Sequence, residues 1–270
     1  FTPTASVEEN LLNTALRQNT YLAQEPEWLL LEDLRRDVVY GSILRAVATG
    51  ERKPSDIARA TGKTSAQDVA PHLSTLQEMG LLLREVPVTE KRQPRTRTSL
   101  YFLADNYLGF WYRFVDPARS LVARGKGRQV YESAIVPQLD AHLSRPAFER
   151  ACRQWLWRRA DADTLPEGLR IADIGTWWGA GDREIDVVAL DTDARVVAAG
   201  SCKWTSSPMD VGDYAALDRD LGAAGLDGHA PHRFLFSRSG FSERLTALAA
   251  QQNPQRLHLV DLPAMYRSPT

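Results

Sequence analysis

Two charged residues of the C-terminal half stand within apolar stretches of sequence. Asp186 lies in the run Glu184–Leu190, and Lys203 lies near the end of Val196–Trp204. Because burying a charge in apolar surroundings is costly, each is expected to be paired or bound to a metal ion. Both stretches have the short apolar character of strands, and a tight turn at Asp191–Ala194 joins them. Asp186 and Lys203 are therefore the leading candidates for a chemically active site.

An aspartate in one strand, a hairpin and a lysine that ends the next strand form the layout of PD-(D/E)xK nucleases. In that layout, the aspartate and an acidic residue two positions before the lysine hold Mg²⁺ through oxygen ligands. The metal activates a water and stabilises the charge that develops on the phosphate, while the lysine orients or deprotonates that water. Alternate residues of a strand share a face, so position 201 and Lys203 are expected to point into one site.

Position 201 departs from this layout because it is a serine, whose neutral oxygen is a poor Mg²⁺ ligand. Glu184 is expected to share the strand face of Asp186, and Glu149 can enter from the preceding helix. The predicted metal ligands are Asp186, Glu184 and Ser201, and the predicted catalytic residues are Glu149, Asp186 and Lys203. In the alternative interpretation, Asp186 and Lys203 form a buried ion pair in an inactive relic.

The composition limits the class of protein. Of 270 residues, 43% are hydrophobic and 25% are charged, which is typical of a globular chain long enough for two domains. The net charge of −1 means that any nucleic-acid contact must come from a local basic patch. Cys152 and Cys202 form neither a disulfide framework nor a zinc motif, and a cytoplasmic location is expected. No apolar run reaches the roughly 18 residues of a membrane span. The sequence also lacks the Gly-x-x-x-x-Gly-Lys-Ser/Thr phosphate loop, so ATP hydrolysis by this chain alone is not expected.

The N-terminal half has the order of a winged helix-turn-helix, which is three helices followed by a hairpin. Helices are predicted at 38–49, 55–60 and 65–79, and strands at 81–88 and 98–103. Residues 1–36 are expected to form a helical segment, 37–121 the winged helix, and 122–128 a linker. Pro71 lies inside the third predicted helix, and because proline prefers the first turn, the helix is alternatively expected to begin near Val69 or Ala70.

The loop between the two predicted strands is basic. It carries Lys91, Arg92, Arg95 and Arg97 against the single acid Glu90. A basic hairpin tip at the position of a wing is expected to touch DNA phosphates, which gives affinity without reading sequence. The third helix has no Lys or Arg after Lys63, so base-specific recognition is not expected of it. A winged helix that serves as a protein–protein spacer is the alternative.

The remaining residues, 130–270, alternate helices and strands. Helices are predicted at 130–143, 147–159, 211–221 and 242–251, and strands at 170–174, 184–190, 195–204, 233–237 and 257–260. This order predicts a mixed α/β sandwich. The aromatic stretch at 105–115 and the pair Trp177–Trp178 are expected to pack in the core or at a strand end, with base stacking the less favoured interpretation. His229 and His232 are expected in a loop around Pro231, without zinc.

Several stretches together resemble the C-terminal half of the archaeal-type ATPases that also occur in bacteria, over nearly the whole chain. The stretches are Asp37–Leu44, Leu103–Asp105, Phe110–Val115, Trp177–Gly179, Glu184–Ala189, Cys202–Trp204 and Phe236–Phe241. The resemblance implies a winged helix followed by a restriction-endonuclease-like α/β/α sandwich, with Glu149 as the helix-borne acid of the site. It also implies that the ATPase module itself is missing and that the opening helices are the remnant of its lid. The family's usual Gly-Glu-Cys-Lys-Trp reads Gly200-Ser201-Cys202-Lys203-Trp204 here.

Three functions are consistent with these features. The first is a Mg²⁺-dependent DNA endonuclease, and the second is a non-catalytic module that binds DNA or protein partners for an ATPase. The third is a winged-helix transcription regulator, which the acidic and polar third helix disfavours. The sequence predicts a DNA-binding protein with a nuclease-like domain whose metal site is degraded, because the substitution at Ser201 falls on a metal ligand.

Overall fold

The computed structural model describes residues 2–26, 38–91, 99–179, 183–229, 231–252 and 256–267. The chain divides into two compact units, Phe1–Glu85 with Ser99–Leu139 and Val86–Thr98 with Asp140–Thr270. It therefore passes from one unit to the other three times. The wing residues Arg92, Arg95 and Arg97 and most of the helical segment expected around Trp28 lie outside the described residues.

The first unit consists of short helices and one antiparallel hairpin. The helices are α1 (Val7–Asn13), α2 (Val38–Ala48), α3 (Pro54–Ala60), α4 (Ala66–Glu78), α5 (Asn106–Phe110), α6 (Arg119–Ala123) and α7 (Gly127–Val130), and α8 (Leu139–His142) belongs to the second unit from Asp140 onward. The hairpin strands are β1 (Leu82–Glu85) and β2 (Leu100–Leu103). Residues 21–26 are also helical, and π-helical turns extend α5 and α7.

The order α2–α3–α4–β1–β2 is that of a winged helix-turn-helix. Its core includes Ile43, Ile57, Leu73 and Leu76, which are almost completely buried. Helix α4 begins at Ala66 behind a capping box between Ser65 and Asp68, so Pro71 lies within the helix rather than at its start.

The aromatic stretch after β2 is part of the core of the first unit, as predicted. Trp111 and Tyr112 are each 1% exposed. The Trp111 indole donates a hydrogen bond of 3.0 Å to the Ala23 carbonyl, which satisfies its polar edge. The linker expected at 122–128 is instead helical over much of its length, and Val122 is buried in this core.

The second unit is built on a five-stranded mixed sheet. Its strands, in spatial order, are β3 (Asp173–Trp178), β4 (Glu184–Leu190), β5 (Val196–Lys203), β6 (His232–Ser237) and β7 (Leu257–Asp261). The first three strands are antiparallel, and the last two pairings are parallel. Its helices after α8 are α9 (Glu149–Asp161), α10 (Val211–Ala224), α11 (Glu243–Gln251) and α12 (Leu262–Tyr266). The predicted mixed α/β class is confirmed.

Two apolar cores cover the two faces of this sheet. Cys152 and Leu156 of α9 are buried with Val187 of β4 on one face. Leu217 of α10 and Leu245 of α11 are buried with residues that include Val188 on the other. The helices therefore enclose the sheet in three layers, which buries both faces of the central strands.

Val88, predicted to end a strand, belongs to the second of these cores. Strand β1 ends at Glu85, and Val88 begins a short 3₁₀ turn, Val88–Glu90. A Cβ atom placed on Gly175 would lie 2.9 Å from the Val88 Cβ, so only glycine allows this approach. The register of β3 against β4 shifts between Gly175 and Trp177. Trp177 packs against the same core, which confirms packing as its role.

His232 was expected in a loop, and that prediction is wrong because it lies in β6. Its ring stacks on His258 of β7 with centroids 5.2 Å apart, and His232 Nδ1 lies 2.9 Å from His258 Nε2. His258 also stacks on Phe234. The two imidazoles therefore serve as packing groups on neighbouring strands.

Candidate functional site

Asp186 lies where β4 and β5 stop pairing. The last paired residues are Val187 and Gly200, and beyond them the Cys202 N–H donates a 2.7 Å hydrogen bond to Asp186 Oδ2. Burial raises the pKa of Asp186, the Cys202 N–H lowers it, and the charge of Glu184 raises it again. The carboxylate thus takes the place of a backbone acceptor at the point where the strands diverge.

Glu149 is the first residue of α9 and is 8% exposed. Burial raises the pKa of Glu149 to about 7, and the charges of Asp186 and Glu184 act in the same direction. Arg145 and Arg153 oppose that rise. Glu149, Glu184 and Asp186 are therefore close enough to influence one another, and we call these three the carboxylate cluster.

Arg145 is placed against the carboxylate cluster by a kink before α9. Its backbone is extended, at φ −144° and ψ 126°, as is usual for a residue that precedes proline. The guanidinium donates a hydrogen bond to Glu184, and Arg145 Nε lies 3.5 Å from Glu149 Oε1. Its charge also lowers the pKa of Asp186. One guanidinium therefore acts on all three carboxylates.

Arg153 supports the cluster from the next turn of α9. Its Nη1 donates to the Thr176 hydroxyl at 2.7 Å and to the Asp186 carbonyl at 3.0 Å. This second arginine holds the backbone on which Asp186 stands. Neither arginine was predicted from the sequence, although both are four residues from Glu149 and that spacing was a usable signal.

Four of the predicted site residues line one cavity of about 180 Å³, namely Glu184, Asp186, Ser201 and Lys203. Asp213 and Asp220 of α10 complete its polar wall, and neither was predicted. Glu149 is not part of the lining and reaches the site through the carboxylate cluster. The structure therefore brings the predicted strand residues together and adds two carboxylates from a helix.

Lys203 forms its ion pair with Asp213, and not with Asp186 as the alternative interpretation of the sequence expected. Its Nζ lies 3.8 Å from Asp213 Oδ1, and its side chain is 46% exposed. A buried Asp186–Lys203 ion pair is therefore wrong, because the ammonium remains in contact with solvent and turns to the helix.

The described side chains do not fit a Mg²⁺ site. Within the part of the chain that the structure describes, no three or more His, Cys, Asp or Glu residues are arranged to hold a metal ion. Ser201 stands where a carboxylate ligand would be needed. One carboxylate oxygen of Glu184 already accepts a hydrogen bond from the Arg145 guanidinium. The predicted ligand set Asp186, Glu184 and Ser201 is thus short of anionic oxygens that are available to a metal.

Lys91 of the predicted wing already has protein partners. Its Nζ lies 2.7 Å from Asp173 Oδ1 and donates to the Ile174 carbonyl at 3.1 Å. The side chains of Lys91 and Asp173 are 39% and 36% exposed. Lys91 therefore anchors the start of the loop to β3, which was not expected of a residue chosen as a phosphate contact.

Cys152 and Cys202 are both free and buried. Burial raises the pKa of the Cys202 thiol, and its hydrogen bond with Cys152 acts in the same direction. Both thiols face the α9 side of the sheet, where they are packing groups. Among the described helices, none has the length and apolar character to cross a membrane.

Comparison with known proteins gives a family match over part of the chain. Residues 111–213 match the model of the family DUF234, described as archaeal and bacterial proteins of unknown function. An uncharacterised protein of Methanocaldococcus jannaschii is 26% identical over 216 residues. That match covers 79% of this chain and 47% of the relative, so the chain spans about half of the relative's length.

A solved structure also matches. It is an O-methyltransferase of neocarzinostatin biosynthesis in complex with S-adenosyl-L-homocysteine, at 14% identity and a TM-score of 0.20. The match covers 84% of this chain and 68% of that one, and at this TM-score neither fold nor function carries over. The chain is thus similar, from Trp111 to Asp213, to a family whose members have no assigned function.

Proposed function

We propose that this chain binds DNA and that its second unit, although arranged like a nuclease, does not cleave it. The observation that carries the proposal is that Ser201 lines the cavity that also holds Asp186 and Lys203. A neutral hydroxyl replaces the carboxylate that a catalytic Mg²⁺ needs at that position. The proposed site thus has the aspartate and the lysine of the nuclease layout, with a hydroxyl in place of the strand-borne acid.

The DNA-binding part of the proposal is supported by the first unit and its loop. The order of α2, α3 and α4 before the hairpin is typical of winged helices. The sequence between the two strands carries Arg92, Arg95 and Arg97, while the whole chain has a net charge of −1. A local cluster of arginines on a neutral protein favours phosphate contact over long-range attraction.

The salt dependence of DNA binding tests this assignment. Changing Arg92, Arg95 and Arg97 to Gln is expected to reduce the slope of log K against log salt by about 3, one for each lost phosphate contact. Lys91→Gln is expected to leave the slope unchanged, because Asp173 already neutralises Lys91. The matched control changes three exposed arginines of the second unit, Arg170, Arg219 and Arg244. An equal loss of slope in the control would remove the wing from the proposal.

A second candidate function is a Mg²⁺-dependent endonuclease. It is favoured by one observation, namely that Asp213 and Asp220 line the same cavity as Ser201. Either carboxylate lies on α10 and can supply the acid that β5 lacks. In this case Asp186 and a helix carboxylate would have to be rearranged to hold the metal, because no three acids among the described residues are placed to do so, and Lys203 would act on the attacking water.

Plasmid cleavage distinguishes the two candidates. We expect no Mg²⁺- or Mn²⁺-dependent nicking of supercoiled DNA by the wild-type chain. Nicking that disappears in both Lys203→Ala and Asp213→Asn would establish the endonuclease instead. A chain that neither nicks nor binds DNA would contradict both candidates and favour a protein-binding role, with an ATPase as the partner suggested by sequence resemblance.

A further inference from the structure

We infer that the Arg145 guanidinium is an internal cation that takes the place of a divalent metal in the carboxylate cluster. The inference rests on the non-cleaving role proposed above, and it explains how the nuclease layout stays folded without a metal. Three carboxylates brought together near one strand repel one another unless a cation neutralises them. A metal ion does this in a working site, whereas here a side chain of the same chain does it.

The contacts of Arg145 support this substitution. It donates a hydrogen bond to Glu184, lies 3.5 Å from Glu149 and lowers the pKa of Asp186 by its charge. A planar guanidinium matches carboxylate geometry better than an ammonium does, so one arginine can bridge two acids. The side chain is 35% exposed and therefore lies at the rim of the cluster.

The position of Arg145 is fixed by the backbone. The extended conformation at Arg145 precedes Pro146, and α9 then begins at Glu149. Arg153 donates to the Asp186 carbonyl at 3.0 Å, which fixes the backbone of one of the three acids. The cluster is thus held in place, and its charge must be balanced where it stands.

The test is a comparison of thermal stability with and without Mn²⁺, in the absence of DNA. We expect millimolar Mn²⁺ to leave the Tm of the wild-type chain unchanged. Arg145→Gln is expected to melt at a lower temperature and to gain about 3 °C or more when Mn²⁺ saturates the vacated position. Arg145→Lys keeps a positive charge and is expected to respond to Mn²⁺ less than Arg145→Gln does.

The site of any gain is checked by a double variant. Combining Arg145→Gln with Glu184→Gln is expected to abolish the Mn²⁺ response, because a cluster acid is lost. A wild-type chain stabilised by Mn²⁺ as much as Arg145→Gln would overturn the inference, and so would a folded Arg145→Gln without any response. If Arg145→Gln folds only poorly, Mn²⁺ in the refolding buffer must restore it, and failure to do so while Arg145→Lys folds also overturns the inference. Because the readout contains no DNA, its failure is distinguishable from failure of the proposed DNA binding.

Discussion

A single buried carboxyl, Glu149, gives the second unit a defined pH dependence. Its pKa in the folded chain is about 7, above the reference value of 4.5, so folding favours the protonated form. The stability that Glu149 contributes is complete below pH 4.5 and is lost as the pH rises to 7. Glutamine resembles the protonated carboxyl. The free energy of unfolding of Glu149→Gln, relative to wild type, is therefore expected to rise by about 3 kcal/mol over this interval.

Urea denaturation at several pH values between 4 and 8 measures this difference. The control is Glu167→Gln, which changes an exposed glutamate of the same unit. A difference between Glu149→Gln and wild type that does not vary with pH would show that Glu149 is not held protonated by burial.

His258 has the opposite pH dependence. Burial lowers the pKa of His258 to about 4, and the charge of His232 acts in the same direction. The unfolded chain takes up the proton first, so stability is lost as the pH falls from 6.5 through 4. His258→Phe keeps the stacking on Phe234 and is expected to remove about 2 kcal/mol of this acid sensitivity. Equal acid sensitivity in the variant, measured by urea denaturation at pH 7 and 4.5, would contradict the prediction.

At the scale of elements, the contact between the Val88–Glu90 turn and β3 is tightly packed. Gly175→Ala adds a methyl group 2.9 Å from the Val88 Cβ and is expected to cost about 1–3 kcal/mol. Val88→Ala removes buried methyl groups and is expected to cost about 1–2 kcal/mol. The double variant is expected to lose less than the sum, because Val88→Ala removes the Cγ2 atom that lies 3.2 Å from the added methyl group, although the contact with Cβ remains. Additive losses in urea denaturation would show that the two residues do not share this contact.

The central strands could be predicted from the sequence because their apolar runs are continuous and turns separate them. Strand β4 begins and ends as predicted, at Glu184 and Leu190, and β5 lies within its predicted range. The start of β3 was placed too early, since Arg170 and Ile171 precede the paired residues. Strand β1 was predicted too long because Val88 looks like a strand residue and is in fact buried by tertiary packing. Local apolar pattern does not show which core a residue joins.

At the scale of the whole molecule, the sequence predicted those site residues that the antiparallel pair β4–β5 supplies. Asp186, Ser201 and Lys203 lie on adjacent strands, so their spacing in sequence was enough to bring them together. Arg145 and Asp213 come from a kink and a helix whose positions depend on the complete fold. Arginine and aspartate are also common on surfaces, so their residue types gave no signal. The spacing of Arg145 four residues before Glu149 was a usable signal, but its contacts with the acids depend on the kink that precedes α9.

The three passages of the chain between its units have a consequence for synthesis. Val88 and Lys91 leave the ribosome well before the strand that receives them, since Lys91 and its partner Asp173 are 82 residues apart. At ordinary rates of translation this is a wait of roughly 4–16 s. During that interval the apolar Val88 lacks its core, while the first unit can already form its hairpin. Val88 is thus open to chaperones during that interval, and its core closes only after the strand at Asp173 has emerged.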